Sequence, residues 1–390
     1  MDTQNTPVHP KLWHRDFWLL AVANMFLSMS AYMMIPILPQ WLSDSSMNLK
    51  PLHLGMIMGA YGLGLFALGP ACNYLVQKYR RNHVCIVSVF AMMLVSVGIF
   101  VCREKVLAWH LNAWCFIGLR FLLGAAFGMA QMVLSSTLII DTCESFQRTE
   151  ACYASSWFAR FAMSLGPMLA LVLHRYFYYD MVLVVILGLA ALSVVLMQTV
   201  HFPFKAPDDT MKLVSCDRFF LLQGKWLFLN LMLITAVVGL IMTLPLTAKF
   251  YAMLMCGFFL ALLAEKYAFA NAELKSEAIT GLILIGAALL MMINDAALPV
   301  VPYLAPVFVG FGIGLIGSRF LLFFIKLSLH CQRGTSQSTF FLAWELGISL
   351  GLFVGIAIGK QLLISLSLVF VSLLMYNFFT HPWYMKHKNR

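Results

Sequence analysis

Arg160 lies inside the apolar run SSWFARFAMSLGP (155–167), and Glu345 lies inside STFFLAWELGISL (338–350). A guanidinium or carboxylate in such a run can move a proton, hold a charged solute, or pair with an opposite charge. Each residue sits twelve positions after an arginine, Arg148 or Arg333, and each is followed by Ser-Leu-Gly, at 164–166 and 349–351. Arg120, Glu265 and Arg319 also interrupt apolar runs. A charge near the centre of a bilayer costs about 2.5–3.5 kcal/mol on insertion scales, so it must face protein or water. Coupling or gating is one role for these five residues, and static pairing is the competing one. Arg319 and Glu345 each lie about seven residues from the same end of their runs. That shared depth predicts an Arg319–Glu345 pair. Glu345 is the first choice for a protonatable carboxylate and Glu265 the second, because burial disfavours a charged carboxyl. All ten histidines fall in tails, loops or helix ends, which argues against a histidine relay.

The elements that position these residues follow from composition. Hydrophobic residues make up 62% of the 390 residues and charged residues 11%, with mean hydropathy +0.86. No soluble domain could hide that much apolar surface, so the class is a polytopic membrane protein. Continuous runs near twenty residues mean helices; barrel strands would alternate over shorter segments. Nine scattered cysteines form no CxxC pair, so they read as small buried hydrophobes, with no metal site or disulfide framework expected. The polar residues 1–16 and the long run after Phe17 do not fit a cleaved signal peptide.

Twelve spans are predicted, at roughly 17–41, 52–76, 84–102, 112–138, 151–173, 181–201, 226–247, 250–270, 278–297, 300–325, 338–359 and 361–380. Glu265 and Lys266 interrupt the eighth. The side shared by the termini then carries seventeen of the 26 Lys and Arg residues, the other side six, and three lie within spans. Basic loops collect in the cytoplasm, so both termini are predicted there, in the plasma (cell inner) membrane. The same bias explains the net charge of +10 without nucleic acid. The stretch 201–225 has two prolines and seven charges and reads as a linker. The predicted organisation is a six-helix half over 1–201, a cytoplasmic linker over 202–225, and a second half over 226–390.

An offset of 185 maps Arg148 onto Arg333, Arg160 onto Glu345 and Gly166 onto Gly351. Gly124 and Gly128 match Gly310 and Gly314 near the same offset. Two parallel six-span repeats around a central cavity account for this pattern. Twelve spans, a central linker and inside termini resemble the Major Facilitator Superfamily (MFS) of secondary transporters.

Three local stretches carry the resemblance further. The loop Asn73-Tyr-Leu-Val-Gln77-Lys78-Tyr79-Arg80-Arg81 keeps the basic residues of the superfamily's span 2–3 motif. It lacks both glycines, and Gln77 stands where the superfamily has an aspartate that latches the two halves. The stretch Gly118-Leu-Arg120-Phe-Leu-Leu-Gly124-Ala-Ala-Phe-Gly128 is similar to the motif associated with proton transfer. Its two glycines also permit close helix packing. Gly166-Pro167 resembles the centre of the antiporter motif, and a simple helix bend is the competing reading. The resemblance implies that spans 1, 4, 7 and 10 line the cavity. Asn24, Tyr32, Arg120, Gln131, Asn230 and Thr235 are then the substrate candidates. It also implies that span 5 meets span 8, bringing Arg160 toward Glu265.

The function expected is secondary active transport of a small solute by alternating access, coupled to protons or another ion and working as an exporter. The chain would act as a monomer in the lipid bilayer, without cofactor. An ion-coupled importer, or a transporter-like receptor or structural protein, is the alternative. No acyltransferase or zinc-hydrolase motif is present to suggest an enzyme. Gly355-Ile-Ala-Ile-Gly359-Lys360 has the wrong spacing for a phosphate loop. Reporters fused at both termini and at residue 215 should all signal the cytoplasm. A reporter at 215 that signals the opposite side would refute the twelve-span topology.

Overall fold

The computed structural model describes residues 11–44, 49–105, 112–202, 212–269, 273–294 and 299–388. Residues 203–211 of the predicted linker lie outside that set. Among the described residues the fold is all-α, with no strand. Twelve helical segments are long and apolar enough to cross a membrane. Spans 1 to 6 are Arg15–Ser43, Pro51–Lys78, Arg81–Glu104, Ala113–Asp141, Ser145–Tyr176 and Tyr179–Gln198. Spans 7 to 12 are Leu222–Met242, Ala248–Tyr267, Leu274–Ile293, Val301–Leu327, Arg333–Ile358 and Gln361–His387. Span 8 is uninterrupted, with Glu265 and Lys266 in its last turn. Span 9 starts earlier than its apolar run, which takes Glu277 into its first turn.

An even number of crossings puts the first and last spans' outer ends, and the linker, on one face. It is called the linker face here and its opposite the far face. Helix ends follow local chemistry. Asn112 caps span 4 by accepting from the Trp114 amide at 3.2 Å. Pro51 opens span 2, where no helical partner is needed for its missing N–H. Gly359, at φ +73°, ends span 11.

The packing of the first six spans recurs in the last six. Span 1 packs on spans 5 and 6 as span 7 packs on spans 11 and 12, and span 4 packs on spans 2 and 3 as span 10 packs on spans 8 and 9. Between the two sets the main contacts are span 2 with span 11 and span 5 with span 8. The repeated arginines have matching places. Arg148 and Arg333 each open an α-helix directly after a 3₁₀ turn, so Arg160 and Glu345 stand at equal heights.

Glycines set the closest approaches. Gly166 lies on span 1, where an added Cβ would come within 2.9 Å of the Met29 carbonyl. Its counterpart Gly351 lies on span 7, where a Cβ would collide with the Ala236 carbonyl. Gly124 and Gly310 do the same for spans 2 and 4 and spans 8 and 10.

Three irregularities matter for the site. The α-helix of span 1 is interrupted at Met33, three residues before Pro36. Span 2 loses its α-helix after Gly64 and resumes as a 3₁₀ turn at Gly69–Ala71 and a helix at Cys72–Lys78. Span 4 has a π-turn at Leu134–Leu138. The Gly166-Pro167 pair does not interrupt span 5, which stays one α-helix from Arg148 to Tyr176.

Gly351→Val should lower stability by about 1–3 kcal/mol, the usual penalty for overpacking. Gly118 has no neighbour within 4 Å of an added Cβ, so Gly118→Ala should not destabilise. Thermal unfolding of the two purified variants checks the contrast. Equal loss in both would refute the packing role.

Candidate functional site

Polar side chains concentrate where the first six spans meet the last six. Glu345, 4% exposed, accepts a hydrogen bond from the Tyr32 hydroxyl of span 1. Among the described residues it has no ion-pair partner. Tyr61 of span 2 is an electrostatic neighbour of both Glu345 and Arg120. Its ring lies 5.0 Å from the Arg120 guanidinium. Arg120 is 2% exposed, reaches the Met34 sulfur at 3.6 Å, and leaves its Nε without a partner among the described residues.

Arg160 spans the same seam. It donates from Nη1 to the Gly314 carbonyl at 2.9 Å and to the Ser318 hydroxyl at 2.7 Å, both on span 10. Its Nη2 donates to Ser156 at 2.6 Å, and its guanidinium lies 3.9 Å from the Trp157 ring centre. Four hydrogen bonds and a π-face replace the water a cation loses on burial. Glu265 of span 8 accepts from Tyr153 of span 5 and is an electrostatic neighbour of Arg160, although no direct ion pair joins them. Ser164 completes this side by donating to the Tyr251 carbonyl at 2.5 Å.

Asn24, Ser28, Tyr32 and Gln131 meet Arg160, Gln337 and Glu345 around one central pocket of about 30 Å³. That is room for roughly one or two water molecules. Gln131 donates to Asn24 at 2.5 Å, and Asn24 donates to the Ser155 carbonyl at 3.2 Å. The side-chain amide oxygens of Gln131 and Gln337 have no partner among the described residues. Toward the far face a separate cleft of about 210 Å³ opens between spans 1, 5, 7 and 11, lined by Pro36, Gln40, Met242 and Leu246 among others.

The linker face is closed by the linker itself. Arg218 donates from its backbone to Thr335 at 2.9 Å and from its side chain to Thr137 at 3.0 Å, bridging spans 11 and 4. Thr335 in turn donates to Asp217, and the Leu221 amide to Thr339. Ser215 is held by the Pro70 carbonyl of span 2, and Gly69 lies under the Phe219 ring. Arg218 adopts φ +58°, a left-handed conformation uncommon outside glycine, which these contacts maintain. Burial pulls its pKa below the ordinary arginine value, with Asp217 opposing that shift. Arg333 of span 11 adds a bond to the Ser145 carbonyl at 3.3 Å.

The Major Facilitator Superfamily model matches residues 20–352. The chain belongs to the Major Facilitator Superfamily. Solved structures agree on the fold. The human organic anion transporter MFSD10 (TETRAN) aligns with TM-score 0.67 at 15% identity, covering 92% of this chain and 98% of its own. An auto-inhibited peptide transporter of the POT family gives 0.65 at 12%, covering 97% and 98%. The fucose:proton symporter FucP of E. coli gives 0.62 at 14%, covering 96% and 98%. A search of curated proteins found no match. The superfamily fold is that of a multi-pass membrane transporter, and its members are in general not enzymes.

Against that fold the sequence-predicted residues separate. Asn24, Tyr32, Gln131, Arg160 and Glu345 share the central pocket, and Arg120 adjoins it through Tyr61. Asn230 instead donates to the Ser372 carbonyl of span 12, and Thr235 to the Ala343 carbonyl at the seam of spans 7 and 11. Arg319 does not pair with Glu345. It makes a two-pronged ion pair with Glu277 of span 9, which is fully buried. Span 9 packs along span 10, whereas Glu345 turns toward spans 1 and 2. The predicted shared depth fails as well, because span 11 starts at Arg333 and places Glu345 twelve residues in, against eight for Arg319 in span 10. Of the loop motif, Lys78 bonds to Tyr74 at 2.7 Å and Arg81 pairs with Asp141 of span 4, contacts confined to the first six spans. Gln77 and Arg80 also have partners.

Sequence reasoning missed Tyr61, Tyr153, Ser156, Glu277, Ser318 and Gln337. Only Gln337 had a local signal, the polar run Thr335-Ser-Gln-Ser-Thr339 opening an apolar helix.

Glu277→Gln should cost about 3–5 kcal/mol, because it strands the Arg319 cation. The double change Glu277→Gln with Arg319→Gln should recover most of that loss. Folded yield and thermal unfolding check it. A stable Glu277→Gln single variant would refute a structural pair.

Proposed function

We propose that this superfamily member moves a small polar solute by alternating access, with Glu345 carrying the coupled proton, and that it works as an exporter. One observation carries the reading. Glu345 is a buried carboxylate without an ion-pair partner among the described residues, lining the central pocket and bonded to Tyr32 from the other set of spans. A carboxylate so placed changes its partners when the two sets of spans tilt apart, which links its protonation to the cycle. The unpartnered amide oxygens of Gln131 and Gln337 offer acceptors to a polar solute in the same pocket.

In this reading Arg160–Gly314, Arg160–Ser318 and Tyr153–Glu265 are gating contacts, made and broken as spans 5, 8 and 10 shift. Arg120 lies against Tyr61, the electrostatic neighbour of Glu345, and its loss should slow the cycle. The halves 1–201 and 226–390 move as units on the 202–225 linker. The far-face cleft and the closed linker face support an outward-open state, given cytoplasmic termini in a plasma membrane. The antiporter resemblance at Gly166-Pro167 supports export over import. The protein acts as a monomer with a solute and protons as its only ligands.

The solute is to be found by comparing metabolites inside cells and in the medium for overexpressing and deletion strains. In proteoliposomes, Glu345→Gln should then lose at least about tenfold of pH-driven flux while keeping solute exchange, since glutamine mimics the protonated acid permanently. Wild-type pH-driven flux in Glu345→Gln would overturn proton coupling at this residue. Failure to move any solute across a broad panel would favour the receptor alternative.

A further inference from the structure

A third cavity lies outside the seam and plays no part in the transport reading. Where the helix of span 2 is interrupted, a crevice of about 960 Å³ opens between spans 2, 3 and 4. Its walls are apolar, from Ala67, Leu68 and Leu75 through Val84 to Val95 and Phe121 to Met129. Its linker-face end is lined by Lys78, Arg80 and His83. No Asp or Glu lines it among the described residues. The Asp141 carboxylate at the end of span 4 is engaged by Arg81.

The dimensions and the charge select an occupant. Between His83 and Val95 the wall of span 3 rises about 18 Å at 1.5 Å per residue. One leaflet of a hydrocarbon core about 30 Å thick is about 15 Å deep. The crevice therefore runs from headgroup level to the middle of the membrane, the span of one acyl chain. At the headgroup end three basic side chains line the crevice, Lys78 also donating to Tyr74, and basic pockets between membrane helices hold anionic headgroups. A zwitterionic headgroup would bring its own cation toward those groups, whereas a net anionic one would not.

We propose that this crevice binds one anionic glycerophospholipid of the adjoining leaflet. Lys78, Arg80 and His83 hold its phosphate, and an acyl chain lies along spans 3 and 4. The interruption of span 2 makes the room. Because Ser215 and Phe219 of the linker pack on Pro70 and Gly69 at that interruption, the lipid sits directly behind the segment that closes the linker face.

The test uses the full chain in detergent, titrated with phosphatidylglycerol or phosphatidylcholine of matched chains and read by native mass spectrometry. Wild type should half-saturate with phosphatidylglycerol at about a tenfold lower concentration than with phosphatidylcholine. The combined Lys78→Gln, Arg80→Gln and His83→Gln variant should lose that preference. Ala91→Trp, at an exposed position lining the crevice, should lose both lipids. Lys225→Gln with Lys275→Gln, basic sites on the same face outside the crevice, should keep the preference. Equal affinity for the two lipids in wild type would overturn the proposal. So would an equal loss in the Lys225 and Lys275 variant, or unchanged lipid binding in Ala91→Trp. Glycerol phosphate competing as strongly as the whole lipid would overturn the role of the acyl chain. If the combined basic variant does not fold, the lipid comparison in wild type and Ala91→Trp still decides.

Discussion

A polar group inside a bilayer has no water to bond with, so each one must find a protein partner or carry a large penalty. Most of this molecule's buried charge is arranged by that constraint. Backbone groups are satisfied within helices, which leaves side chains as the free choice. Arg160 is dressed by two carbonyls, two hydroxyls and a tryptophan face. Arg319 and Glu277 neutralise each other. Glu345 has a hydroxyl partner, Tyr32, and no ion-pair partner among the described residues.

The location of each solution separates the charges into kinds. The Arg319–Glu277 pair joins spans 9 and 10, which are packed along their length, so nothing about it changes if the two sets of spans move. The contacts of Arg160, Glu265 and Glu345 cross from the first six spans to the last six. A contact across that seam is sensitive to its opening; one within a set is not. Buried charge alone is thus a poor marker of mechanism, and the boundary it crosses is a better one.

Close helix packing occurs within each set and also across the seam, where Gly55 and Gly62 of span 2 meet Phe353 and Ser349 of span 11. Glycines at Gly124, Gly166, Gly310 and Gly351 bring backbones within each set nearly into contact, so each set is densely packed. Between the sets the far face opens into a cleft, while the linker face is held by hydroxyl bonds to the linker. Hydroxyl contacts of this sort are weaker than the charged latch suggested by an aspartate in the span 2–3 loop, where this chain has Gln77.

The sequence by itself determined the number and placement of the spans, because apolar length must match membrane thickness. It also determined the internal repeat. Arg148 and Arg333 open equivalent helices, and Gly166 and Gly351 sit at equivalent crossings, so the 185-residue offset registers a real recurrence of packing. Depth was legible only where a helix end was, since a helix rises by a fixed step per residue. What depth could not give was rotation and neighbour. Arg319 and Glu345 were expected at one depth but lie eight residues from the end of span 10 and twelve from the start of span 11, and the partner of Arg319 proved to be Glu277, a residue at the edge of an apolar run. Asn230 and Thr235 lie on spans of the expected cavity but turn to spans 12 and 11. Tyr61 and Ser318 have no distinctive sequence context, and they matter only through what the fold sets beside them. Which face of a helix meets which neighbour depends on all its contacts at once, and only the tertiary structure decided that.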